Sequence, residues 1–402
     1  MIKAINKTAL KWTILAIALL QMGGMGLAPS LAAISADMPN VPVSIIQTIT
    51  SFPSFVMIFV CLIAIKLSEK LSKKGILLFG EIAIFAAGIL GYLLHSNIVE
   101  LYIWAALLGV GFGTILPTCS GILAENYDEK ERGSIMGIQS VFTNIGAMYL
   151  TYVGGALASY KWHLNYLVYF IALLPLIMGF LFIPNDKNKR PAQSSKSTMN
   201  KVGIKDLSPE TWIYGAFTFL FLICYGVHSA NIAFFVIEKG LGTAATVGTI
   251  MALCTIGGML GGATFKYVNK IFSTYTFCVS YILLIIGFVL TIAANNLTIV
   301  LVGGVIVGMS ISWTIPQAML SLTNSNKVEA TTMACSVGHI GGQIGTFCSA
   351  LVMTSITSLF TSSTSFRYVF TACVCVALAI VEAVIIKGMK ARVKESIYGK
   401  NK

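Results

Sequence analysis

Charge is what this sequence has least of. Asp, Glu, Lys and Arg make up 10% of 402 residues, where soluble domains carry roughly 25%. So few charges cannot cover a water-facing surface of this size. Histidine is scarcer, with four residues, and His95 and His163 stand apart from any H-E-x-x-H or G-x-S-x-G spacing. That argues against a zinc hydrolase or a serine nucleophile elbow. The nine cysteines (Cys61, Cys119, Cys224, Cys254, Cys278, Cys335, Cys348, Cys373 and Cys375) all lie inside apolar runs, so they act as small apolar residues rather than as a disulfide or metal framework. Glycine clusters at Gly257, Gly258, Gly261 and Gly262, and at Gly303, Gly304 and Gly308, follow no strand, which excludes a phosphate loop. The expectation is a chain that is not an enzyme and needs no cofactor, no metal and no nucleic acid.

What the chain does have is apolar length. Hydrophobic residues make up 56% and the mean hydropathy is +0.84. Twelve runs reach or approach the ~20 residues that cross a hydrocarbon core of about 30 Å. They lie near 12–33, 43–65, 76–95, 101–123, 133–158, 164–183, 212–236, 244–265, 273–294, 297–322, 331–356 and 368–386. The net charge of +12 is then a matter of topology. On this map 24 of the 27 Lys and Arg fall on one side, and only Lys161, Lys239 and Arg367 on the other. The positive-inside rule puts both termini in the cytoplasm. The bilayer of the cell membrane is the expected environment, with the first run a structural helix longer than the 7 to 15 apolar residues of a cleavable signal.

The chain also repeats itself. At an offset of 199, Gly109 meets Gly308, Pro117 meets Pro316, Leu123 meets Leu322, Ile145 meets Ile344 and Gly146 meets Gly345; at 200, Trp12 meets Trp212, Gly26 meets Gly226, Lys66 meets Lys266 and Lys70 meets Lys270. Parallel repeats related by an axis along the membrane normal are a known design of secondary transporters. The predicted fold is an all-α membrane protein of twelve transmembrane helices in two pseudo-symmetric six-helix bundles. Residues 1–183 form the first bundle, 184–210 a cytoplasmic linker with Ser194, Ser195 and Ser197 between charged ends, and 211–402 the second bundle.

The loop after the second run reads Ile65 Lys66 Leu67 Ser68 Glu69 Lys70 Leu71 Ser72 Lys73 Lys74. In a six-plus-six duplicated chain this resembles the signature loop of the major facilitator superfamily, G-x-L-a-D-r-x-G-r-k. Leu67, Lys70, Lys73 and Lys74 fit, Glu69 takes the acidic place, and Ile65 and Ser72 replace the glycines. The resemblance implies a cytoplasmic latch, with Glu69, Lys70 and Arg132 as gating residues. Two departures weigh against a drug/proton antiporter of that family. Ala105 stands where proton-coupled members often have Arg, and Gly146, Leu150, Thr151, Gly154 and Gly155 lack the central Gly-Pro of the antiporter motif.

Polar residues within the runs are the site candidates. Tyr225, His228 and Asn231 recur every three residues, and His339 and Gln343 are four apart, so each set shares a helical face. Ser140 and Asn144 occupy the matching positions of the first repeat. Trp313 and Gln317 flank Pro316, matched by Thr114 and Thr118, and Gln21 opens a segment loosened by Gly23, Gly24, Gly26 and Pro29. The expected substrate-binding set is therefore Gln21, Asn144, Tyr225, His228, Asn231, Trp313, Gln317, His339 and Gln343. Interhelical hydrogen bonding is the competing account of the same residues. No Lys or Arg lies well inside a run, which disfavours strongly anionic substrates. His228, His339 and Glu81 are the candidate proton carriers, although Glu81 and Glu382 sit near enough to the run ends for snorkelling or local ion pairing to be the simpler account.

These features together predict a secondary active transporter that moves a small organic solute by alternating access. Protons are the candidate coupling ion, amphipathic efflux is the favoured direction, and the expected form is a monomer. Uptake or exchange of one metabolite is the near alternative, and a membrane sensor without transport the more distant one.

Overall fold

The twelve apolar runs all become helix in the computed structural model, which describes residues 7–67, 71–183, 207–327 and 330–398. In chain order the α-helices are α1 (Lys7–Ala18), α2 (Leu31–Asp37), α3 (Val43–Thr48), α4 (Phe52–Leu67), α5 (Lys73–Leu93), α6 (Ile98–Asn126), α7 (Glu129–Ala158), α8 (Leu173–Phe182), α9 (Pro209–Glu238), α10 (Ala244–Phe272), α11 (Thr276–Ile292), α12 (Leu297–Asn324), α13 (Thr331–Ser349), α14 (Ser355–Ser358) and α15 (Thr364–Tyr398). Among the described residues, ten helical stretches are long and apolar enough to span a bilayer; one of them, 244–292, joins α10 and α11, and Phe52–Ala64 is a shorter apolar helix. The protein is a multi-pass, all-helical membrane protein. Phe59, Ile63, Leu93, Phe180, Leu181, Ile380 and Val384 are exposed, an apolar exterior suited to acyl chains rather than water. Linker residues 184–206, Glu69 and Lys70 lie outside the described residues, and Pro209 and Glu210 already open α9.

The first run is not one straight helix. After α1 the chain tightens into a 3-10 segment, Gly23–Ser30, and resumes as α2. Pro29 interrupts the bonding here: without an N–H it can reach neither Met25 O as in an α-helix nor Gly26 O as in a 3-10 turn. The missing donor comes from elsewhere. Asn165 Nδ2 donates to Gly26 O at 2.8 Å and to Ser30 Oγ, and Tyr169 OH donates to Gly23 O at 2.7 Å. Both belong to a second 3-10 segment, Trp162–Ala172, that precedes α8.

Contacts group the chain into two units. The first holds Met1–Thr198 together with Ser229–Thr255, and the second Met199–His228 with Ile256–Lys402. A piece of the second repeat thus groups with the first. Within that first unit, Gln47 Nε2 donates to Asn231 Oδ1 at 2.9 Å, and α7 meets α10 so closely that a Cβ on Gly155 would lie 2.6 Å from Ala244 O and one on Gly248 2.4 Å from Thr151 O.

The duplication is visible in the packing of each unit taken alone. In the first, a Cβ on Gly146 of α7 would fall 2.0 Å from Leu19 O; in the second, one on Gly345 of α13 would fall 2.4 Å from Phe219 O. Leu19 and Phe219 are themselves 200 apart. Asn97 caps α6 by accepting from Glu100 N at 3.0 Å, and Asn296, its counterpart at 199, caps α12 by accepting from Ile299 N at 3.1 Å. Elsewhere the contact persists while the residues trade places. Gly109 and Gly113 of α6 face Pro53, Val56 and Val60 of α4, whereas in the second unit the glycines are Gly257 and Gly261 of α10, against Val305 and Met309 of α12. Replacing Asn97 or Asn296 by Ala should cost about 1 kcal/mol each, read as similar small drops in melting temperature in detergent.

Candidate functional site

In the first unit, polar side chains gather where α1 gives way to the 3-10 segment. Gln21 Oε1 accepts from Thr143 Oγ1 of α7 at 3.0 Å, and Gln21 Nε2 is buried with no hydrogen-bond partner. At the next residue of α7, Asn144 Nδ2 donates to Ser140 O at 2.8 Å; Ser140 is exposed and Asn144 half-buried. Thr143 was not anticipated by helical spacing, because its role depends on which helix α7 meets. Thr114 and Thr118 turn into the bundle: Thr114 Oγ1 bonds back to Gly111 O at 2.9 Å and fills the space above Gly80, and Thr118 Oγ1 bonds to Thr114 O at 2.6 Å.

The second unit divides its expected residues between an open face and a packed interior. His339 is exposed, with Nε2 3.4 Å from Gln343 Nε2, on the side of α13 away from the glycines (Gly341, Gly342 and Gly345) that meet α9. Trp313 and Gln317 are instead consumed by packing between α12 and α10. Trp313 Nε1 donates to Gly261 O at 3.0 Å and is 3.1 Å from Thr264 Oγ1; Gln317 bonds Asn269 and, at 2.9 Å, Ser321 Oγ. The α9 triplet shares a helical face but not a destination. Tyr225 stacks on Phe221 at 6.4 Å, while His228 is buried with Nδ1 3.5 Å from Tyr368 OH of α15 and Nε2 unpartnered. Asn231 belongs to the first unit through Gln47, a partner that periodicity in α9 could not have named.

Two expectations are corrected by this geometry. Glu81 and Glu382 do not snorkel: they are 0% and 1% exposed. Glu382 Oε1 accepts from Tyr281 OH at 3.0 Å, while both oxygens of Glu81 lack a partner. Local ion pairing is not formed either: Lys387, five residues on from Glu382, is exposed, while Glu382 turns inward toward α11. Nor are His95 and His163 isolated. The end of α5 and the start of the 3-10 segment bring their rings into a stack with centroids 4.1 Å apart, edge-on to Trp162, whose Nε1 donates to Asp37. Arg132 lies on the first turn of α7. Among the described residues whose side chains can be placed, no group of three His, Cys, Asp or Glu could hold a metal.

Comparisons with known proteins agree with this architecture. The family profile described as Major Facilitator Superfamily matches residues 13–350. Among curated proteins, the chain is 28% identical over 119 residues to a "Proton-coupled antiporter flippase LtaA" of Staphylococcus haemolyticus, a match covering 29% of this chain and 30% of that protein. It is 26% identical over 133 residues to the protein of the same name from Staphylococcus saprophyticus, covering 31% and 33%. The match thus spans about a third of either relative. Among solved structures, the nucleoside transporter NupG superposes with a TM-score of 0.76 at 12% identity, covering 94% of this chain and 99% of that one. The POT family transporter PepTSo does so with 0.74 at 9%, covering 96% and 98%. At such identities the likeness speaks for the fold alone.

Proposed function

Because the chain belongs to the Major Facilitator Superfamily, a family of membrane transporters, we propose that it is a secondary carrier working by alternating access, in which the two repeats rock as bundles about a central site. The observation that carries this reading is the grouping of residues 229–255 with the first unit. The contacts within it include the amide pair of Gln47 with Asn231 and the glycine crossing of Gly155 and Gly248. Such contacts are small enough to form in one state and part in the other. In this reading each unit offers its own solute contacts: Gln21, Ser140, Thr143 and Asn144 in the first, and His339 and Gln343 in the second. Trp313, Gln317 and His228 act behind them by holding helices in place. The gating role of Glu69, Lys70 and Arg132 remains part of the proposal, as do a plasma-membrane location, cytoplasmic termini and a monomeric carrier.

The receiving residues carry no fixed charge, which suits an amphipathic solute with a modest polar head. The partial likeness to proteins named as proton-coupled antiporter flippases favours efflux in exchange for protons. The test is the purified full-length chain in sealed vesicles with a fluorescent glycolipid as probe. An imposed pH gradient is expected to redistribute the probe between leaflets, and counterflow is expected with no gradient. Binding without either movement would sink the carrier reading. A Gly248→Leu protein, unable to seat against α7, should shift the state equilibrium by about 5- to 150-fold for a packing cost of 1–3 kcal/mol. This would appear as a matching loss of probe transport with the fold retained.

A further inference from the structure

The carboxyl of Glu81 is placed where an ionised group could not rest. It projects from α5 into the junction with α6 and α8, fully buried, with neither oxygen bonded. It rests against Gly179, where an added Cβ would lie a tight 3.2 Å from Glu81 Oε2. A buried carboxylate without donors is far costlier than a buried carboxylic acid, so in this conformation Glu81 holds its proton. Two cations, Lys73 and Lys74, stand at the start of its own helix. Lys74, two turns earlier on the same face of α5, donates from Nζ to Phe180 O at 2.6 Å, and Phe180 adjoins Gly179. Acid and ammonium therefore reach adjacent residues of α8, Gly179 and Phe180, with no ion pair between them. Lys73 packs over Gly121 of α6, and Cys119 of α6 lies within reach of the carboxyl's charge; no titratable group faces it from α8, and Tyr166 and Tyr169 meet α5 two turns further on, at Gly88 and Gly91.

The second repeat shows what a purely structural acid looks like in this place. Its counterpart of Glu81, 200 residues on, is Tyr281 of α11, which bonds the buried Glu382 of α15. Among the described residues each unit thus buries one carboxyl between its third and sixth membrane-crossing segments; the second supplies a donor to one of its carboxyl's two oxygens, the first to neither. A side chain kept for packing alone would be better as Gln or Leu. We infer that Glu81 is the proton-binding site of the carrier, with Lys74 as the counter-charge of its ionised form. Loss of the proton to water breaks the acid O–H bond and leaves a carboxylate, which draws Lys74 off Phe180 O and loosens α5 from α8; protonation restores the packing seen here. His228 is a poorer carrier, since its Nδ1 lies 3.5 Å from Tyr368 OH, a neutral group that could not balance an imidazolium.

This inference rests on the carrier reading above, but its first test needs no substrate. Infrared difference spectra of the full-length protein in liposomes, stepped from acid to alkaline pH, should show a protonated-carboxyl band that fades as pH rises. The band should be missing in Glu81→Gln, kept in Glu382→Gln, and present throughout in Lys74→Met. Glu81→Gln should melt at the temperature of the parent, which certifies the fold. In vesicles, the pH gradient should change movement of the fluorescent glycolipid by about 5- to 150-fold in the parent, the usual range for linked sites, and not at all in Glu81→Gln, while counterflow continues. A titrating band unchanged in Glu81→Gln, or gradient-driven movement unchanged in it, would overturn the assignment and leave the carrier reading standing. The expected band without probe movement in any protein would support the proton site and count against the carrier.

Discussion

A Gly146→Val protein is expected to lose most of its folded population, with a melting temperature in mild detergent far below the parent's, and Gly345→Val is expected to behave the same way. The atoms that a new side chain would meet are backbone: Leu19 O, Cα and C for Gly146, all within 2.6 Å, and Phe219 O, C and Cα for Gly345, within 3.2 Å. A side chain in the way could change rotamer; a helix backbone can only move as a whole. Overpacking of well-filled interiors usually costs 1–3 kcal/mol, and each of these should exceed about 3 kcal/mol because α1 must part from α7, or α9 from α13. Gly262 provides the comparison, since a Cβ there meets nothing within 4 Å. Gly262→Ala should be neutral or gain up to about 1 kcal/mol from helix propensity. If Gly146→Val melted like Gly262→Ala, the close crossing of the first unit would be wrong.

The second large effect concerns the bent first segment. Asn165→Leu removes the donor that replaces the absent N–H of Pro29, leaving Gly26 O and Ser30 Oγ without it in a region that excludes water. A buried acceptor left bare costs about 1–3 kcal/mol, and Tyr169→Phe should add about 1 kcal/mol by freeing Gly23 O. The two together are expected to abolish glycolipid movement by releasing Gln21 from its register with Thr143. Pro29→Ala offers a sharper test, because it restores an N–H that can reach Gly26 O. In that background Asn165→Leu should cost clearly less than in the parent, a coupling that a double-mutant cycle measures directly. Equal costs in both backgrounds would show that Asn165 matters only for its size.

Several layers of this protein could be read without coordinates. Scarce charge, twelve apolar runs and the 199–200 offset led to an all-helical, duplicated membrane chain, because burying backbone in lipid leaves helices as the economical solution and because glycine and proline positions survive where helices must touch. The structure refines the duplication in a way that identities alone could not. Gly146 and Gly345 are the same residue making the same contact, but at the α4–α6 and α10–α12 crossings the glycines moved to the opposite helix, and at Glu81 and Tyr281 the acid did. A contact needs one small partner or one acid, and either side can supply it, so the contact persists while the sequence signal vanishes.

The sequence by itself determined the membrane class, the repeat and which residues could be polar within each helix, since these follow from hydrophobicity and a 3.6-residue period acting locally. Only the tertiary structure decided which of those polar residues are already spent. Trp313 and Gln317 bind α10, Asn231 binds Gln47 and Glu382 binds Tyr281, whereas His339 and Gln343 stay open and Glu81 goes unanswered. Helical periodicity states the direction in which a side chain points but not what lies there, and a hydrogen bond is settled by its partner.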